Sequence, residues 1–236
     1  MLLNVNINYL ANLRSSIGAE PDILTCARRC EHSGADGIIL YISDDIKCLN
    51  NYDIKYIRKH LRTRFILKIP MLEKYRQLAS DCKPDIVCLV PETNEPSPST
   101  GVNVIRNQTE INNFMIHVMY EGSMSCVFIE PKLEQVNSAY KAGMHYVEFN
   151  TKNYIEAFKT GNCDKEYNDL KECTALANTL GMKVMIGKGL NYQNVTKIRE
   201  IKGISDFNIG HSITTKAIFT GLDNAVREMK ELVNER

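Results

Sequence analysis

LGMKVMIGKGLNYQNV, residues 180–195, contains one full turn of the rhythm that decides the fold. Gly181 stops a helical pattern that runs over 165–181, KVMIG (183–187) is a short β-rich run, and GKGL (187–190) turns the chain into a further helical pattern at 191–201. The same order recurs in both directions. Upstream, the β-rich runs are LLNVNI (2–7), DGIILYI (36–42), RFILKI (64–69), DIVCLV (85–90), SCVFIE (125–130) and HYVEF (145–149); downstream there is DFNIG (206–210). Residues 22–33, 51–62, 71–82, 105–122, 131–143 and 212–235 supply the other helical patterns, with apolar residues three and four apart. GAD (34–36), KPD (83–85) and AGM (142–144) repeat the helix stop made by LGM (180–182). Alternating strands and helices predict a parallel sheet, and eight units predict a closed (β/α)8, or TIM, barrel.

At 236 residues, with no Pro/Gly/Ser-rich divider, one domain is expected. A composition of 44% hydrophobic and 24% charged residues is that of a soluble chain able to bury a core. A formal charge of +1 gives no general reason to bind nucleic acid or an anionic membrane, while local lysines still suit a small anion. The opening MLLNVNINYLANLR sets asparagines in its apolar run and has no basic leader, so neither a secretion signal nor a membrane span is expected and the cytoplasm is the expected location. The eight cysteines form no CxxC pair and read as reduced core residues. Cys26 and Cys30 lie one helical turn apart without a histidine pair, and no metal is expected there or elsewhere. Two connections stand out: polar, proline-rich ETNEPSPSTGVNV (92–104), a candidate active-site lid, and TKNYIEAFKTGNCDKEYND (151–169).

Several motifs carry a family likeness along practically the whole chain. VNINYLANLR (5–14) resembles VNIDHIATLR of the pyridoxine 5'-phosphate synthase family, keeping Asn6 and Arg14 but placing Asn8 and Tyr9 at an Asp and a His. GADGI (34–38) leads into the second strand as in the family, after which YISDDIKC (41–48) replaces a basic segment and introduces Asp44 and Asp45. CLVPE (88–92) agrees closely; VEFNT (147–151) is similar to IEIHT, with Glu148 kept and Asn150 at a His. GKGLNYQNV (187–195) resembles GHGLTYHNV, FNIGHSI (207–213) resembles LNIGHAI, and GLDNAVREM (221–229) fits the closing helix. Where the family has a Gly-Arg pair, this chain has Thr215 and Lys216.

The resemblance implies condensation of 1-deoxy-D-xylulose 5-phosphate with 3-amino-2-oxopropyl phosphate, several proton transfers, and no cofactor. It places the family's acid/base groups, two His and one Glu, at Tyr41, Lys68 and Lys188. Tyrosine and lysine titrate near ~10 and ~10.4, so they are poor neutral-pH bases, and the expected activity is reduced or lost. Glu148 is expected to face the barrel interior and pair with Lys68 or Lys188, or to take part in catalysis. Asn6, Arg14, Gly187, Gly189, Gly210 and His211 are the candidate substrate and phosphate ligands, the glycine turns lying where barrels hold phosphate on backbone N–H groups. Their alternative is tight-turn geometry alone. Two other functions stay open: a Schiff-base lyase or aldolase using Lys68 or Lys188, and a non-catalytic relative that binds a ligand or a protein. The expected partner is a phosphorylated small molecule, and the family's habit of assembling through barrel exteriors implies a homo-oligomer.

Overall fold

Eight short strands, all parallel, close on themselves in sequence order in the computed structural model, which describes residues 1–17, 20–44, 48–93 and 98–235. They are β1 (Leu2–Asn6), β2 (Gly37–Tyr41), β3 (Arg64–Ile69), β4 (Ile86–Leu89), β5 (Met124–Ile129), β6 (Tyr146–Asn150), β7 (Lys183–Gly187) and β8 (Ile204–Ile209). Leu2 of β1 pairs with Asp206 of β8, which completes the predicted (β/α)8 barrel. The expected strands agree with these within about two residues, because each is a run rich in β-branched or aromatic residues, and GAD, KPD, AGM and LGM end the helices before β2, β4, β6 and β7.

The helices are α1 (Asn8–Ile17), α2 (Ile23–His32), α3 (Asn51–His60), α4 (Glu73–Cys82), α5 (Val104–Tyr120), α6 (Leu133–Lys141), α7 (Lys152–Lys159), α8 (Asp164–Thr179), α9 (Val195–Ile198), α10 (His211–Thr220) and α11 (Leu222–Asn234). Four departures from the sequence reading matter. α1 begins two residues after β1, its first turn closed by Leu10 and Ala11 N–H groups donating to the Ile7 carbonyl, so no loop announces it. α7 occupies the segment read as a long connection; it packs Tyr154 and Ile155 inward and ends before Gly161 at φ 81°. The pattern over 212–235 is two helices, broken at Gly221 with φ 78°. The helix expected over 191–201 shrinks to α9 because Asn191 and Asn194 bond the neighbouring backbone and hold a turn instead.

Candidate functional site

In a strand successive side chains alternate between faces, and parallel register carries the inward set from one strand to the next. Tyr41, Lys68, Cys88 and Cys126 are aligned partners on β2 to β5, and the Phe128–Glu148 pairing brings Glu148 in from β6. Lys68 Nζ lies 2.6 Å from each Glu148 oxygen. Both side chains are buried, with the residues 4% and 1% exposed, and the ammonium also sits over the Phe128 ring at 5.4 Å. Burial, the largest single effect, disfavours the charged amine, but the Glu148 carboxylate together with Cys88 and Cys126 raises the Lys68 pKa above its ordinary value. Cys88 Sγ donates to Glu148 Oε2 at 3.7 Å, and the neighbouring Cys126 thiol is pushed well up by burial, then by Cys88 and Glu148.

The Lys68–Glu148 pair forms part of the wall of a cavity of about 110 Å³ among the C-terminal strand ends. Lys188, Gly189, Gly210 and His211 line its other side, with Asn6, Tyr9 and Asn208. The space is large enough to hold several waters or an anionic group. Three features favour an anion: the Lys188 charge, the start of α10 at Gly210–His211–Ser212, and the open turn at Gly189. Gly189 has φ 81° and Lys188 has φ 83°, so two successive residues are left-handed and only one of them is glycine. A lysine held there carries backbone strain of about 1–2 kcal/mol. His211 meets Tyr9 edge-on, with ring centroids 5.3 Å apart.

Lys68, Lys188, Glu148, Asn6, Gly189, Gly210 and His211 thus converge on one cavity, while three other expected site residues do not line it. Gly187 ends β7, and a Cβ there would come within 2.5 Å of Glu148 Oε1; its missing side chain makes room for the carboxylate. Arg14 turns to α3, where its guanidinium donates to both Asp53 oxygens at 3.1 and 2.6 Å and to the Cys48 carbonyl at 2.7 Å. Tyr41 is fully buried and its hydroxyl engages the segment after β4: it donates to the Thr93 carbonyl at 3.1 Å and accepts from the Thr93 N–H at 3.2 Å. Its own strand end is fastened by Asn8, whose amide exchanges hydrogen bonds of 2.7 and 2.6 Å with the Tyr41 backbone.

Other altered positions also have structural partners. Asn150 donates to the Ser99 carbonyl and to Glu130, tying down residues 99–101, where Gly101 N–H also reaches Glu130. Residues 94–97 of the expected lid and Asp45 lie outside the described residues, whereas Asp44 is engaged by Lys74 and Tyr75. Lys216 pairs with Glu228 at 3.0 Å. Sequence reasoning missed Tyr9, Asn191, Asn208 and Ser212 in the cavity wall, though alternation along β8 and the end of the FNIGHSI turn carried a signal for the last two. Nothing in the chain's local pattern pointed to Cys88 and Cys126 beside Glu148; their spacing is visible only across strands.

Fold and site define a (β/α)8 barrel with a polar, lysine-bearing cavity at the end of the barrel where such proteins carry their chemistry. The sequence profile of the family described as pyridoxal phosphate biosynthesis protein PdxJ matches residues 3–235, and the chain belongs to that family. The pyridoxine 5'-phosphate synthase of Syntrophotalea carbinolica is 36% identical over 235 residues, covering 98% of each chain. That of Maridesulfovibrio salexigens is 34% identical over 233 residues, covering 98% of this chain and 97% of its own. Among solved structures, the 3-keto-L-gulonate-6-phosphate decarboxylase of Vibrio cholerae superposes with a TM-score of 0.68 over 99% of this chain and 97% of that one; at 10% identity this likeness concerns the fold.

Proposed function

We propose that this PdxJ-family barrel binds a phosphorylated small molecule in the Lys188–His211 cavity and performs the family condensation far more slowly than its relatives. The observation that carries this reading is the Lys68–Glu148 ion pair: the residue at a family acid/base position is a lysine with its ammonium held by both oxygens of a buried carboxylate. Such an amine neither abstracts a proton at neutral pH nor attacks a carbonyl. Tyr41, the second altered position, is occupied with Thr93. Loss of a general acid or base commonly costs ~100 to 10,000-fold, and losses within one unit do not multiply.

Lys188 and the start of α10 support anion binding, since a cation and helix N–H groups are grouped around one small cavity. In this reading the protein is cytoplasmic, as its relatives' biosynthetic role suggests, and homo-oligomeric, with Ile218 and Phe219 of α10, 73% and 83% exposed, as apolar surface for a second copy. The test is paired. Calorimetry with pyridoxine 5'-phosphate and with inorganic phosphate is expected to show binding that Lys188→Ala weakens at least about tenfold. Turnover of the two family substrates is expected to fall at least about 100-fold below that of the 36%-identical relative. Turnover at the relative's rate overturns the catalytic part, and absence of binding to any phosphorylated compound overturns the other. Borohydride trapping with phosphorylated ketones tests the Schiff-base alternative, in which the adduct forms on Lys188.

A further inference from the structure

We infer that Cys88, Cys126 and Glu148 form a site for one Zn²⁺-like divalent ion inside the barrel, sharing Glu148 with the wall of the anion cavity. The three contribute potential ligand atoms that all lie within 4.8 Å of one another, and all three residues are buried. They come from β4, β5 and β6, three adjacent strands of a rigid closed sheet, so their Cβ atoms are fixed by register. Two thiolates and a carboxylate match the preference of zinc for sulfur, nitrogen and oxygen donors in a tetrahedron, with the fourth position left for water. Glu148 also lines the cavity, the side from which a water would take that position.

Lys68 completes the arrangement. As the site stands, Glu148 Oε2 is the oxygen close to Cys88, while Lys68 donates to Oε1 and lies 2.6 Å from Oε2. On binding, Oε2 turns to the ion and Lys68 keeps Oε1, the outer-shell hydrogen bond that ligating carboxylates commonly have. The charge balance is unchanged. Two neutral thiols, one carboxylate and one ammonium sum to zero; Zn²⁺ with two thiolates, the carboxylate and the ammonium also sums to zero, the two thiol protons leaving to solvent. An ion therefore enters the barrel without leaving net charge in it, which removes the main objection to a buried cation.

The whole protein, treated with chelator and reduced, is titrated with Co²⁺ as a spectroscopic stand-in and then with Zn²⁺. Expected are one ion per chain, a near-ultraviolet sulfur-to-cobalt band displaced by Zn²⁺, and release of two protons per ion. Cys126→Ala is expected to abolish the band and weaken binding more than about 100-fold, beyond the usual cost of losing an outer-shell partner. Cys163→Ala, whose thiol sits beside Lys197, leaves both unchanged. No stoichiometric uptake, or a band that survives Cys126→Ala, overturns the site. Should that variant not fold, crystals of the unaltered protein grown with Zn²⁺ decide: an anomalous peak between Cys88, Cys126 and Glu148 supports the site, and its absence there overturns it.

Discussion

Lys188 combines a positive charge useful to the cavity with a backbone conformation that glycine holds more readily, φ 83°. The two properties separate by mutation. Lys188→Ala removes the charge and keeps the strain, so anion affinity falls while stability stays near the parent's. Lys188→Gly also loses affinity, but relief of strain offsets the extra freedom of the unfolded glycine, leaving stability within about 1 kcal/mol of the parent; calorimetry and urea denaturation read the two effects. Lys68 and Glu148 behave as a unit. Lys68→Met or Glu148→Gln alone strands or unbalances a buried partner and is expected to cost about 3–5 kcal/mol, whereas the double variant costs less than the sum. Additive losses in a denaturation cycle with chelator present count against the pair. Tyr41→Phe removes the contacts to Thr93 but no part of the cavity wall, so anion affinity is expected to stay within about twofold.

At the scale of an element, the turn from β7 to α9 brings Lys188 and Gly189 to the cavity and packs Gly189 against α7. A Cβ at Gly189 would lie 3.2 Å from Ile155 Cγ1 and would have to adopt φ 81°. Gly189→Ala is therefore expected to destabilise by about 1 kcal/mol or more and to weaken anion binding as the turn shifts, measured by thermal denaturation and calorimetry on the same samples. This turn also shows why a loop-and-helix reading goes astray locally. Ile155 belongs to α7, an eight-residue helix. Its stability comes from packing rather than from a long periodic pattern, since short helices are marginal alone.

Over the whole molecule the cysteines form a buried population, none of them disulfide-bonded among the described residues. Burial pushes the thiols of Cys26 on α2 and Cys82 on α4 up to about 11. An unfolded thiol titrates near ~8.5, so between that pH and about 11 the unfolded chain releases protons that the folded one keeps. A raised folded pKa contributes stability that is fully present below the unfolded value and is lost as pH rises. Urea midpoints of reduced, chelated protein are expected to be level from pH 7 to about 8.5 and then to fall, and Cys82→Ala is expected to flatten that fall. An unchanged slope in the variant removes Cys82 from the account.

The barrel was legible because its information is local and repeated. KVMIG, RFILKI and the other runs are strands in their own right, and stops such as LGM at 180–182 mark four of the returns to the sheet, so topology follows from counting. Lys68 pointing inward was equally legible, since alternation needs only its neighbours Leu67 and Ile69. Placement across strands was not. That Arg14 turns to Asp53, that Tyr41 reaches Thr93, and that Gly187 makes room for Glu148 depend on distances between residues 39, 52 and 39 positions apart in the chain. The meeting of Cys88, Cys126 and Glu148 has the same origin: one chain sets which residues face inward, but the register of a closed sheet decides which of them touch.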